Sequence, residues 1–178
     1  TKNKIFFNFR KNDILNGGEG APLTPLYHQL IVLKKKIDLP VCVLNIGGIS
    51  NITIIKKGVG YDDFSSKDIG PGNCLIDSWI RKNTNKKFDI DGNISMGGKK
   101  NEIILEQAQE LYANRLNKNK LSFDVGDFDI SFARGLSLQD GAATLTEFTA
   151  NIISEALTKD LSKHNVKKIL LCGGGRKN

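Results

Sequence analysis

The residues in this chain able to do chemistry are a set of glycine-lined turns and one carboxylate. Val41 to Lys57 reads VCVLNIGGISNITIIKK, two β-branched-rich runs joined through Gly47-Gly48, with Asn45, Ser50 and Asn51 crowding the turn. Gly-Gly readily supplies the φ > 0 of a hairpin. It also lets backbone come close to a ligand, with successive N–H groups aimed at a phosphate. Lys67 to Asn73 reads KDIGPGN. There Asp68 or Asn73 can cap a following helix that Pro71 opens. Alternatively, the positive end of that helix keeps the Asp68 carboxylate ionised, able to take a proton from water or a hydroxyl. Leu170 to Asn178 reads LLCGGGRKN. Gly173, Gly174 and Gly175 follow a strand, and the carboxyl ends of strands are where open α/β sheets bind ligands. A fourth glycine-rich stretch, NGGEGAPLTP from Asn16 to Pro25, is preceded by Arg10 and Asp13. Arg10 is either a clamp for an anionic group or a surface residue. None of the four is a Walker A loop or a G-x-G-x-x-G fingerprint.

These turns need elements to hold them. Residues 4–9 read as a short strand, and a Gly- and Pro-punctuated loop leads to a helix near 25–36. Strands at 40–46 and 50–57 form the hairpin, with a further short strand near 60–64. A tight turn then precedes a helix at 72–83 with Leu75, Ile76, Trp79 and Ile80 on its apolar face. Residues 84–100 read as loop. A helix at 101–116 carries two apolar stripes, Ile104, Ala108 and Leu111 beside Leu105, Tyr112 and Leu116. Residues 117–136 are irregular. A long helix spans 138–162, with Ser137 and Asp140 as an S-x-x-D cap and Leu145, Phe148, Ile152 and Ala156 in period. KKILLC is expected to be a buried strand running into the last glycines. The pattern is an α/β fold whose adjacent strand pair at 40–57 departs from a purely alternating order.

The bulk numbers narrow the class. With 178 residues, 39% hydrophobic and 25% charged, the chain suits a folded protein of one large domain or two small ones. Lys plus Arg exceed Asp plus Glu by 26 to 19, for a formal charge of +7. The lysines are dispersed in short runs with few aromatics between them, so a solvated surface accounts for them better than a nucleic-acid partner. Three well-separated cysteines, Cys42, Cys74 and Cys172, give neither a disulfide framework nor a zinc site. With no secretory signal and no apolar run of membrane length, a cytoplasmic, reducing location is expected. Both ends read as cut, which makes the chain a piece of something longer.

Taken together, FRKNDILNGGEGAPLTPLYH, LNIGGISNIT, DIGPGNCLIDSW, DGAATLTEFTA and CGGGRKN resemble the anhydro-N-acetylmuramic acid kinases, bacterial sugar kinases of the actin/hexokinase/Hsp70 ATPase superfamily. The matching stretches run from Phe9 to Asn178. The resemblance implies a ribonuclease H-like lobe, a mixed sheet with helices on its faces, in an incomplete two-lobe kinase. Residues 1–40 would be the end of the N-terminal lobe and the interlobe segment, and 41–178 the C-terminal nucleotide-binding lobe. It implies ATP and Mg2+, with Asn45, Gly47, Gly48 and Asn51 at the phosphates and Gly173, Gly174 and Gly175 on the adenosine side. Asp68 falls on the family's base. Arg10, Asp13, Gly70 and Asn73 would contact the sugar. The implied reaction converts 1,6-anhydro-N-acetylmuramic acid to its ring-opened 6-phosphate in cell-wall recycling.

Three departures qualify the resemblance. The family's N-terminal lobe, with its own G-x-M-S-G-T-S-x-D-G loop, has no counterpart here. Asn8 stands where the family's D-F-R has a carboxylate. The acidic KLSFDVGDFD, Lys120 to Asp129, replaces a K-S-T-G-R-E-like segment, so sugar contacts from that segment do not transfer. The alternative to a working kinase lobe is a split or degenerate fragment that binds nucleotide weakly at most. On either reading the isolated chain is expected to lack kinase activity. A missing lobe would leave apolar surface that a partner lobe or a second copy of the chain covers.

Overall fold

The computed structural model describes residues 5, 7–18, 20, 23–58, 60–115 and 122–177. The elements in chain order are α1 (Phe9–Leu15), α2 (Pro25–Lys34), β1 (Val41–Ile46), β2 (Ile49–Ile55), β3 (Phe64–Pro71), α3 (Cys74–Asn83), α4 (Glu102–Arg115), α5 (Leu138–His164) and β4 (Lys168–Cys172). One four-stranded sheet runs in the order β3-β2-β1-β4. The first three strands form an antiparallel meander, and β4 returns through the helices to pair with β1 in parallel. This mixed four-stranded sheet with its helices is an α/β fold that agrees with an actin/hexokinase-like ATPase lobe.

Alternation along the strands explains why both faces are covered. Val41 and Val43 join Ile55 and Val32 of α2 in one apolar cluster. Cys42 and Leu44 point the other way, to Ile52, Ile54, Ile69 and Ile153 of α5. A third cluster lies beyond the end of β3, where Trp79 and Ile80 of α3, Leu105 and Ala108 of α4, and Leu145 and Phe148 of α5 meet. Leu145, Phe148 and Ile152 keep the helical spacing and are at most 7% exposed. Each such burial stabilises by about 1.5–3 kcal/mol. The Ser137 hydroxyl accepts the Asp140 N–H at 3.1 Å, so the expected cap of α5 forms.

Several expectations change. Residues 5, 7 and 8 carry no strand and Phe9 opens α1; an unpaired strand leaves backbone groups unsatisfied, whereas a helix satisfies its own. The third strand covers 64–71, not 60–64, so Asp68 and Pro71 lie on a strand and the tight turn shrinks to Gly72-Asn73. Pro71 ends that strand, where its missing N–H breaks little of the ladder, and does not open the helix. On α4 the buried stripe is Leu105, Ala108 and the partly buried Tyr112, while Leu111 is exposed and Leu116 lies outside the described residues. β4 is an edge strand with Ile169 and Leu171 exposed, so it is not the buried strand expected from KKILLC. Residues 84–100 contain two short 3₁₀ turns, knotted by Asp89, whose carboxylate accepts the Ile94 and Ser95 N–H groups at 2.8 and 2.9 Å.

α2 is fastened to β2 and to the connection that follows it by two polar side chains. His28 Nδ1 shares a 2.9 Å hydrogen bond with Thr53 Oγ1, and Gln29 Nε2 donates to the Gly58 and Gly60 carbonyls. Burial lowers the His28 pKa below its usual 6.5. A lowered folded-state pKa means that the unfolded chain binds more protons as the solution is acidified, so stability falls with pH below about 6.5. His164 is lowered too, by burial and then by Lys56 and Lys163, and acts with the same sign. Urea unfolding at pH 7.5 and 5.5 is expected to show lower stability at 5.5, with a shallower dependence in His28→Gln.

Candidate active site

The Gly47-Gly48 turn is pressed against the start of α3. The Gly47 carbonyl accepts the Asn73 N–H at 2.7 Å, and the Gly48 carbonyl accepts Gly72 and Cys74 N–H groups at 2.9 and 3.1 Å. These carbonyls meet the amino-terminal end of α3, and the Asn73 side chain makes no cap hydrogen bond to that helix. With both carbonyls committed to α3, any contact between this turn and an anion has to come through its N–H groups.

The CGGG turn converges on the same place. Cys172 pairs with Asn45 in the β1–β4 ladder, bringing the chain into Gly173 beside the hairpin. Gly173 has φ +88, and a Cβ there would stand 2.3 Å from the Ile46 carbonyl oxygen and 2.7 Å from Asn45 Oδ1. Only glycine fits that approach. A Cβ on Gly175 would sit 3.0 Å from Asn73 Oδ1, and one on Gly174 3.8 Å from Asn73 Nδ2. Three turns distant in sequence therefore meet at Asn45, Gly47, Asn73 and Gly173–Gly175.

An open cleft of about 380 Å³ leads off this junction, lined by Asn73, Asp77, Phe88, Asp89, Ile90, Asp91, Gly174 and Lys177. Phe88 and Ile90 present exposed apolar surface, and the Asp89 knot fixes the loop that carries them. Burial raises the Asp77 pKa, opposed by Arg81. Sequence reasoning missed this wall; the acidic-apolar alternation of FDIDG was its only signal.

Asp68 lies on β3 opposite Asn51, beside a bulge at Ser50/Asn51. It lies three positions before Pro71 and the glycine junction, about 10 Å of extended chain. Its side chain is 7% exposed, and Oδ2 accepts the Phe123 N–H at 2.8 Å. Asn51 thus neighbours Asp68, and among the described residues its buried Oδ1 has no hydrogen-bond partner, like Ser50 Oγ. Tyr112 approaches from α4: a Cβ on Gly70 would be 3.2 Å from its hydroxyl. Burial, and then Cys74, push the Tyr112 pKa well above its usual value, so the phenol is neutral.

The sequence model of the anhydro-N-acetylmuramic acid kinases matches residues 1–178, the whole chain. The chain belongs to the anhydro-N-acetylmuramic acid kinase family. An anhydro-N-acetylmuramic acid kinase of Pelagibacter ubique is 50% identical over 179 residues, covering 99% of this chain and 48% of the relative. Those of Zymomonas mobilis and Legionella pneumophila are each 38% identical, over 100% and 98% of this chain and 47% of each relative. The chain spans about half the length of these curated relatives.

The anhydro-N-acetylmuramic acid kinase resemblance assigned sugar contacts to Arg10, Asp13, Gly70 and Asn73, and the structure gathers only part of that set. Asn73 lines the cleft, and Gly70 lies two residues from Asp68. Arg10 and Asp13 stand on α1, and no described contact brings them to Asp68 or the cleft. Asp13 Oδ2 instead accepts the Gly20 N–H at 2.8 Å and closes the glycine loop on its own helix. Among the described residues no group of three or more His, Cys, Asp or Glu is placed to hold a metal ion. No described helix is long and apolar enough to cross a membrane.

Proposed function

We propose that this chain is the nucleotide-binding lobe of an ATP-dependent kinase acting on 1,6-anhydro-N-acetylmuramic acid. The observation that carries the proposal is the convergence of the hairpin, GPGN and CGGG turns on one cleft, with Asn73 and Gly174 in its lining. Glycine-lined backbone lets a bulky nucleotide approach closely, as phosphoryl transfer by positioning requires. Gly47 and Gly48 would meet phosphate through their N–H groups. Gly173 to Gly175, with Phe88 also in the lining of the cleft, would flank the nucleoside. Mg2+, bound with the nucleotide, would offset phosphate charge; Asn73 and Asp77 are among the oxygen-bearing side chains that line the cleft.

In this reading Asp68 takes a proton from water as the water oxygen bonds to the anomeric carbon. The bond from that carbon to O6 breaks, and O6 receives the γ-phosphoryl group, leaving ADP and N-acetylmuramic acid 6-phosphate. Residues 1–40 would belong to the junction with a second lobe. Phe7, Phe9, Leu15, Tyr27 and Leu30 expose more than half their surface there, as expected of a face that another lobe or a second copy covers. The isolated chain, lacking that lobe, would not turn over.

The test is a phosphorylation assay with ATP and 1,6-anhydro-N-acetylmuramic acid, run on this chain with and without the amino-terminal half of the Pelagibacter relative. Product only with the added half is the expected result. No product in either arm, with the chain folded and the halves associated, favours a degenerate fragment that binds nucleotide at most. Product from the chain alone overturns the two-lobe requirement.

A further inference from the structure

Residues 122–130 contain only one short 3₁₀ turn, Val125–Asp127, and pair with no strand, yet they deliver a backbone N–H to a carboxylate 55 positions earlier. What holds them is a run of aromatic rings. Phe123 packs on Phe128 at 5.6 Å between centroids; Phe128 stacks on Tyr112 at 6.0 Å and 22°; Tyr112 meets Phe148 edge-on at 5.6 Å and 86°. The run thus leads from α5 through α4 to the strap. Tyr112 also presses on Gly70, two residues beyond Asp68, so one side chain touches both the strap and the strand that carries the acid. The 3₁₀ turn closes on itself, with the Asp124 N–H donated to Asp127 Oδ2 at 2.7 Å.

We propose that the Phe123 main-chain N–H is a positioning group for Asp68, held in place by the Tyr112–Phe128–Phe148 stack. This rests on the kinase reading in which Asp68 is the base. An amide donated to a carboxylate is a charge-assisted hydrogen bond, and it fixes the plane of the acceptor. A base has to be held within about 0.5 Å and 10–20° of its working geometry. Because the donor is backbone, side chains in the strap can vary while the contact persists, provided the stack survives. The segment with the least resemblance to the family is therefore the one that orients the acid.

The test pairs variants that break the contact with variants that keep it. Phe123→Pro removes the N–H, whereas Phe123→Leu retains it; Tyr112→Ala removes the stack, whereas Tyr112→Phe loses only a hydroxyl that has no hydrogen-bond partner among the described residues. In this chain, NMR hydrogen exchange is expected to find the Phe123 amide slowed by about 100-fold or more against an unstructured amide. Protection should vanish in Asp68→Ala and Tyr112→Ala and persist in Tyr112→Phe. In the enzyme completed with the second half, Phe123→Pro and Tyr112→Ala are expected to lower kcat by about tenfold to hundredfold with KM for ATP within about twofold, and the two conservative variants to behave as the parent. An unprotected amide, protection indifferent to Asp68, or parental kcat in Phe123→Pro would overturn the positioning role while leaving the kinase reading intact. A completed parent without turnover would overturn the kinase reading, and with it the catalytic meaning of the contact, even if the amide proved protected.

Discussion

Asp68→Asn is expected to reduce kcat of the completed kinase by about 10²–10⁴-fold, the usual contribution of a positioned base, while ATP affinity stays within a few-fold. Asparagine keeps the shape of the side chain and retains an oxygen to accept the Phe123 N–H, which reaches Asp68 Oδ2 at 2.8 Å in the parent. The fold should therefore tolerate the change. What is lost is the capacity to take up a proton. Nucleotide affinity is spared because the cleft-lining residues and the glycine junction lie about 10 Å of strand away from position 68. Steady-state product formation and equilibrium ATP binding, measured on the same preparation, separate the two effects. Near-parental product formation would remove Asp68 from the mechanism. A large loss of ATP affinity with unchanged kcat would instead make it part of the nucleotide site.

The elements that local rules govern were legible in the sequence. α3, α4 and α5 each carry an apolar period, α5 adds the Ser137 cap, the β1–β2 hairpin has its Gly-Gly turn, and the structure places them within a few residues of expectation. The sequence also located the three glycine turns that meet at the cleft. What failed depended on distant partners. KIFFNF looks like a strand until one asks which strand would pair with it. DIGPGN looks like a turn until β2 supplies a ladder that runs to Pro71. The FDIDG wall and the Phe123 amide were invisible for the same reason. The first is shaped by a knot of backbone hydrogen bonds around Asp89. The second acts through its main chain, whose direction side-chain identity does not reveal.

Gly72→Ala is expected to destabilise the chain by about 2–4 kcal/mol, from overpacking and from broken hydrogen bonds at one junction. A Cβ at position 72 would stand 2.2 Å from the Gly47 carbonyl oxygen and 3.1 Å from Ser50 Oγ. That carbonyl is backbone and already accepts the Asn73 N–H at 2.7 Å, so it cannot turn aside as a flexible side chain would. Relief requires the hairpin to move off α3, which breaks the bonds from Gly72 and Cys74 to Gly48 as well. For a chain of this size the midpoint of thermal unfolding should fall by about 5–15 °C. Gly48→Ala is the informative contrast. A Cβ there meets nothing within 4 Å, so the melting temperature should hardly change. If the N–H groups of this turn meet phosphate, the added methyl should still weaken ATP binding in the completed enzyme. Circular dichroism melts and ATP titrations of the two variants therefore divide the glycines by role: loss of stability marks Gly72 as setting the distance between hairpin and helix, and loss of ATP affinity alone would mark Gly48 as a ligand contact. Parental melting of Gly72→Ala would mean that some other contact holds the Gly47-Gly48 turn in place.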